Sequence, residues 1–145
     1  MSTALNFNFE LVTPERTVLQ ADLTQLSVPT TSGELTILAH HLPLVTIIKA
    51  GVIELKKIDG QLEVLAVSGG ILEVMLNKVV LLADTAERAQ ELDEAKIKEA
   101  RLLAENLKQT KEVDLSVITG LIEKELARDK AVRRWKKLRN IETIN

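Results

Sequence analysis

The chain has 145 residues, 46 % apolar and 28 % charged, and 19 Lys and Arg against 21 Asp and Glu leave a net charge of −2. This is the composition of one globular domain with room for an appendage, and the near balance of charge argues against a dedicated nucleic-acid binder, whose footprint is basic. The absence of cysteine excludes disulfides, thiolate metal sites and cysteine catalysis, and Phe7, Phe9 and Trp135 are too few to build a platform that stacks bases or sugars.

From the N-terminus, residues 1–8 have neither the basic and apolar regions of a secretory signal nor the Arg-rich character of a transit peptide. No apolar run approaches the roughly 18 residues of a membrane span. The expectation is a cytoplasmic chain without direct membrane insertion. Leu5, Phe7, Phe9 and Leu11 alternate with polar residues, the period of a strand with one buried face. Short alternations continue at Leu26–Val28 and Leu35–Ile37. Two longer runs, 52–58 and 62–68, flank Asp59-Gly60, a pair that favours a type I′ hairpin because both central residues need positive φ. A second hairpin is expected about Asn77-Lys78, between 70–76 and 79–83. Strands this short and this regularly punctuated predict a sandwich or barrel.

The punctuation then stops. All three prolines and five of the six glycines precede residue 85, leaving only Gly120 beyond it. A boundary near Asp84 is expected, dividing the chain into a β domain (1–84) and a mobile helical hairpin (85–145). Asp84 and Glu87 have the spacing of an N-cap and its partner. Ala89, Leu92, Ala100, Leu103, Ala104 and Leu107 form the apolar stripe of the first helix. Residues 109–113 read as a loop, and Asp114 or Ser116 caps the second helix. Its stripe is Ile118, Leu121, Ile122, Leu126, Val132, Trp135 and Leu138, interrupted at Asp129 and Lys130. The fold class is therefore α+β: an N-terminal antiparallel β-sandwich followed by a two-helix antiparallel hairpin.

Charge is split along the same line. Residues 1–84 carry 5 basic and 9 acidic side chains, and residues 85–145 carry 14 and 12. Arg128, Lys130, Arg133, Arg134, Lys136, Lys137 and Arg139 crowd one stretch against Asp129 alone. That exceeds what a helix dipole rewards, and like charges at i,i+4 cost helix stability unless a partner compensates them, so the stretch reads as a dock for an acidic surface. Enzyme chemistry finds no support. There is no Gly-rich loop ending in Lys-Ser or Lys-Thr, and Gly69-Gly70 is too short for a dinucleotide fingerprint. His40-His41 lacks both the third ligand of a metal site and an evident nucleophile to serve.

The run Val67-Ser68-Gly69-Gly70-Ile71-Leu72-Glu73-Val74, followed by Lys78 through Ala89, closely resembles the epsilon-subunit family of bacterial F-type ATP synthases. Gly33-Glu34-Leu35-Thr36-Ile37-Leu38-Ala39-His40-His41-Leu42-Pro43-Leu44 is similar to the family pattern Gly-Glu-x-Gly-x-x-Pro-Gly-His-x-Pro-Leu, with Thr36, Ala39 and His40 departing from it. The resemblance covers essentially the whole chain and implies a β-sandwich followed by two helices. It implies a non-catalytic rotor subunit in the central stalk, peripheral on the cytoplasmic face of the bacterial inner membrane. Its implied partners are the gamma subunit, the c-subunit ring and, through extended C-terminal helices that inhibit ATP hydrolysis, the alpha and beta subunits. By the same resemblance, Gly33, Glu34, His41 and Pro43 contact the c ring, and Arg133, Arg134, Lys136, Lys137 and Arg139 meet the catalytic subunits. Some members bind a regulatory ATP through Ile/Leu-Asp-x-x-Arg-Ala. The stretch here is Leu92-Asp93-Glu94-Ala95-Lys96-Ile97, so a site formed by Glu87, Leu92, Asp93 and Lys96 has lost the planar fork of Arg and is expected to be weak, with no cofactor required. The alternative is a cytosolic β-sandwich adaptor that grips an acidic protein with its helical tail.

Overall fold

The alternating segments become nine strands in the computed structural model, which describes residues 5–108 and 114–144, with side chains through residue 140. They are β1 (Phe7–Val12), β2 (Thr17–Thr30), β3 (Gly33–Leu38), β4 (Leu44–Ile48), β5 (Gly51–Lys57), β6 (Leu62–Val67), β7 (Gly70–Val74), β8 (Lys78–Ala83) and β9 (Ala86–Arg88). A 3₁₀ turn at Ala89–Glu91 leads to α1 (Glu94–Leu107) and α2 (Leu115–Ile144). The expected loop at 109–113 lies outside the described residues.

The strands wrap in the order β1-β8-β7-β4-β2-β5-β6-β9, and β1 also pairs with β2, which closes the sandwich. β2 serves both layers. Its first half pairs with β1, its second with β3 and β5, and a register shift between Leu23 and Gln25 lets it turn between them. The inward residues of both layers form one apolar core, with Phe9, Leu11, Leu26, Ile37, Leu65 and Leu81 fully buried. Leu5 is excluded from it: it precedes β1 and is exposed. One pair departs from the antiparallel expectation, because β8 returns beside β1 in the parallel sense, from Asn8 opposite Lys78 to Val12 opposite Leu82.

Both hairpins form. At 58–61 only Gly60 has positive φ, while Asp59 does not. The Gly60 N–H donates to the Lys57 carbonyl (2.9 Å) and the Lys57 N–H to the Gln61 carbonyl (2.9 Å). The turn is thus type I with a left-handed glycine bulge, the three-residue alternative to the expected type I′. Gly70 shows why the Ser-Gly-Gly run is needed: a Cβ there would lie 2.1 Å from the Leu82 carbonyl oxygen of the neighbouring strand.

The sheet continues past Asp84. β9 pairs with the edge of β6, Leu65 opposite Arg88 and Val67 opposite Ala86, so the boundary at Asp84 leaves a strand on the wrong side. Asp93, not Asp84, caps the first helix, accepting the Ala95 N–H at 2.9 Å. Asp114 caps the second, accepting the Ser116 N–H (2.9 Å) and hydroxyl (2.8 Å), and these bonds hold its carboxyl below the usual carboxylate range.

α2 runs unbroken through Asp129 and Lys130, about 45 Å at 1.5 Å per residue. It lies on β5 and β6 by a face richer in alanine than the expected stripe. Ile118, Ala127, Ala131 and Val132 are buried, whereas Leu121 and Leu126 are exposed. In α1 the buried residues are Ile97 and Ala104, and Leu103 and Leu107 face outward. Val64, Ala66, Ala89 and Ala131 make a small second apolar cluster, flanked by Val52, Leu92, Trp135 and Leu138, separate from the sandwich core.

Deleting β9 bares the edge of β6 and removes buried Ala86 from the core. A fragment of residues 1–92 is therefore expected to fold, and a fragment of residues 1–84 to melt several degrees lower, since about 1 kcal/mol moves a domain of this size by roughly 4–8 °C. Calorimetry on the two fragments checks this; equal melting temperatures would restore the earlier boundary.

Candidate functional site

The segment expected to face the c ring is a strand rather than a loop. β3 carries Gly33 and Glu34 at one end, and the chain turns at its other end to reach His41 and Pro43. Glu34 and Leu38 are separated by about 13 Å of strand at 3.3 Å per residue, so the structure does not bring the four residues together at a point. Gly33 and Glu34 lie on an edge strand, because among the described residues β3 pairs with β2 alone, and His41 and Pro43 lie in the turn beyond its end. Gly33, Glu34 and Pro43 are exposed and His41 is half-buried, its Nδ1 hydrogen-bonded to the Leu42 carbonyl at 2.7 Å. His40 adopts a left-handed backbone (φ 63°) in the turn that the His41 N–H closes on the Leu38 carbonyl. A glycine would suit that conformation better; a side chain there costs about 1–2 kcal/mol.

The outer face of β4, β7 and β8 was not singled out by sequence. Ile47 stands opposite Ile71, and Ile71 opposite Leu82, in one register line across three strands. Their exposures are 62 %, 50 % and 53 %, and Val45, two residues along, is 69 % exposed. A contiguous aliphatic ladder in water is the usual mark of a protein interface.

Several cations of α2 are tied to carboxylates elsewhere in the chain. Arg128 forms a two-pronged hydrogen bond to both carboxylate oxygens of Glu87 on β9, and its Nη1 donates to Glu125 at 2.9 Å. The Glu87 hydrogen bond, opposed by burial and assisted by the charges of Glu87 and Glu125, raises the already high Arg128 pKa, so this clamp stays charged at any physiological pH. Glu125 is buried, and its Oε2 has no partner among the described residues. Arg134 reaches Glu54 on β5 (2.5 Å), and Lys136 pairs with Glu94 at the start of α1. Arg133 pairs with Asp129 of its own helix (2.9 Å), and Arg139 stacks on Trp135, 4.8 Å from the ring centre. Lys137 is exposed. The five cations expected to meet catalytic subunits therefore differ: Arg134 and Lys136 are held by carboxylates outside α2, Arg133 is held by one on it, and Arg139 lies over Trp135.

The four residues expected to hold ATP are largely committed elsewhere. Glu87 is taken by Arg128, Asp93 caps α1, and Leu92 packs against the second apolar cluster. Lys96 is exposed, and Ile97, next to it, is buried. Among the described residues no group of three or more His, Cys, Asp or Glu could hold a metal ion, and no helix is long and apolar enough to cross a membrane.

The sequence also matches known proteins. The sequence model of the ATP synthase delta/epsilon chain β-sandwich domain matches residues 6–89. The ATP synthase epsilon chain of Dichelobacter nodosus is 46 % identical over 101 residues, 70 % of this chain and 71 % of its own. That of Sinorhizobium fredii is 44 % identical over 100 residues, 66 % of this chain and 75 % of its own. A chain in the Euglena gracilis mitochondrial ATP synthase shares the fold, with a TM-score of 0.72 at 23 % identity, covering 90 % of this chain and 81 % of that one. With its sandwich, its β9 strap and its two helices, the chain is a member of the ATP synthase delta/epsilon family, a non-catalytic epsilon subunit.

Proposed function

We propose that this subunit joins a gamma subunit in the stalk, rests on the c-subunit ring, and passes proton-driven rotation to the alpha and beta subunits while its C-terminal helices restrain ATP hydrolysis. It works as a peripheral protein on the cytoplasmic face of the bacterial inner membrane. The observation that carries this reading is the way the hairpin is attached. α2 lies on the sandwich through a small alanine-rich cluster and a set of ion pairs, outside the sandwich core. Releasing it leaves that core intact. It also frees the cations of α2, and it relieves the buried Glu125 oxygen, whose unmet hydrogen bond costs about 1–3 kcal/mol in the docked state. Leu102, Leu103, Leu107, Leu121 and Leu126, exposed in the docked hairpin, supply apolar contacts for a released helix on its partners.

The aliphatic ladder of Ile47, Ile71 and Leu82 is the docking face for gamma, and the free edge of β3, with Glu34 and Leu38 exposed along it, is the face laid on the c ring. Ile71→Asp should keep the fold, since the side chain is on the outer face, and should abolish co-purification with gamma. Full recovery of gamma with this variant would move the interface elsewhere.

The charges of α2 act in opposite directions. Arg128 holds the docked state, so Arg128→Ala should favour release by about tenfold, through loss of the charged hydrogen bonds to Glu87, and so deepen inhibition. Arg133 and Lys137 have no such tie to the sandwich, and their replacement by Ala, or deletion of residues 128–145, should raise ATP hydrolysis by the reconstituted complex with assembly intact. Hydrolysis that is unchanged by the deletion would reduce the hairpin to a passive strap.

Regulatory ATP binds weakly or not at all, since Glu87 and Asp93 already have partners and Lys96 offers a single point charge. Calorimetry of the isolated subunit should give no affinity tighter than about 1 mM, equivalent to roughly 4 kcal/mol. Lys96→Arg is the variant that can strengthen it, whereas Ile97→Ala would open a cavity under α1 at a cost of about 2–5 kcal/mol.

A further inference from the structure

β3 runs unbroken in register, from Gly33 opposite Thr30 to Leu38 opposite Gln25, and among the described residues it pairs with β2 alone. Which of its backbone groups are left over follows from one hydrogen bond on the far side of β2. The Lys49 N–H donates to the Pro29 carbonyl at 3.1 Å, so Pro29 turns that carbonyl away from β3. In an antiparallel pair, opposite residues exchange both of their bonds or neither, and the two cases alternate along the strand. Glu34, opposite Pro29, therefore presents its N–H and C=O to the open edge, and Thr36 and Leu38 do the same. The Leu38 carbonyl already accepts the His41 N–H at 3.2 Å. The side chains of all three residues are exposed.

Proteins usually blunt such an edge with lysine, proline, a bulge, a very short strand or a covering element. β9, which ends the same layer on its other side, is three residues long and gives way at once to a 3₁₀ turn. β3 has none of these devices: it carries no lysine or proline and no shift of register, and α2 lies over β5 and β6 instead. Its one charge is Glu34. The edge is also complementary to itself. With a two-fold axis at Thr36, that residue meets its own counterpart in a second copy, and Glu34 meets Leu38, so every edge-facing residue stands opposite another. The two Glu34 carboxylates are then set about 13 Å apart along the strands at 3.3 Å per residue, and no like charges are opposed. Threonine opposite threonine is a favourable cross-strand pair.

We propose that the free subunit forms a dimer by adding β3 of one copy to β3 of a second, antiparallel and centred on Thr36. Thr36 exchanges two hydrogen bonds with its counterpart, and each Leu38 N–H donates to the Glu34 carbonyl of the other copy. The remaining two bonds, from the Glu34 N–H groups, reach a Leu38 carbonyl shared with His41 and are the weaker ones. A single strand pair is a smaller contact than the roughly 1,200–2,000 Å² of a stable complex, so the dissociation constant falls between about 10 μM and 1 mM. The dimer covers Glu34 and Leu38, the edge assigned above to the c ring, and the two contacts exclude each other. Only that exclusion rests on the assignment; the pairing stands on the strand itself.

The test is sedimentation equilibrium of the full-length subunit carrying Ile71→Asp, which removes association through the aliphatic ladder. A monomer–dimer equilibrium should remain, with a dissociation constant tighter than about 1 mM. Thr36→Glu and Thr36→Lys, each added to that background, set like charges opposite one another at the two-fold axis and should each weaken the dimer about fivefold or more. Both lose the Thr36 hydroxyl's 3.1 Å contact with Ser27 Oγ equally. An equimolar mixture of the two should recover the dimer, which excludes loss of fold as the cause. Thr36→Pro removes an edge N–H that β2 does not use, so it should abolish pairing while the sandwich still melts cooperatively. A protein that stays monomeric at about 1 mM, or a dimer indifferent to charge and to proline at position 36, overturns the proposal. Purified c ring should dissociate the dimer; a ring that binds the intact dimer would move the ring contact off β3 and leave the pairing standing.

Discussion

Arg128 can serve Glu87 and Glu125 together only while α2 lies on the sandwich. Glu87 is fixed by β9, whose pairing with β6 ties it to the core, and Glu125 is one turn back along the arginine's own helix. The guanidinium therefore acts across the joint between the two modules. Its planar fork matches a carboxylate with two parallel bonds, which a lysine could not reproduce. Because arginine does not lose its proton in the physiological range, the joint responds to competing anions and to salt rather than to pH. The other cross-module tie, Arg134 to Glu54, is more exposed, and exposed pairs contribute little individually, about 0–1 kcal/mol.

The same economy explains the apolar packing beneath the clamp. A helix set on a sheet through Ala127 and Ala131 comes close but buries little area, so attachment is shared between short-range packing and polar ties. The sandwich, by contrast, holds itself: its inward strand faces close on one another, and β2 belongs to both layers. One module is thus built to persist, and the other to be attached.

The sandwich was largely legible because strand alternation and Gly/Pro punctuation are local signals, and both hairpins fell where those signals placed them. What sequence could not supply was partnership. β9 is three residues long and has no alternation to read; only pairing with β6 makes it a strand. The turn at Asp59-Gly60 depends on loop length as well as on residue type, and the longer loop selected the glycine bulge. In α2 the eye follows leucine, yet alanine is what fits against a sheet at short range, so Leu121 and Leu126 were placed inward when they point out. The basic stretch was evident as composition, but its division into clamp and ties needed the positions of Glu87, Glu54 and Glu94. Ile47, Ile71 and Leu82 lie 24 and 11 residues apart in sequence, and only strand register sets them in a row.

That row has a consequence for the life of the subunit before it is incorporated. Three aliphatic side chains side by side on a rigid sheet make a sticky surface on a free polypeptide, and a neighbouring copy offers the same surface. An uncombined subunit at high concentration is therefore expected to self-associate through this face. Synthesis matched in amount to the rest of the stalk would keep the pool of orphan chains small, so the outer face of β4, β7 and β8 sets a limit on stoichiometry as well as on binding.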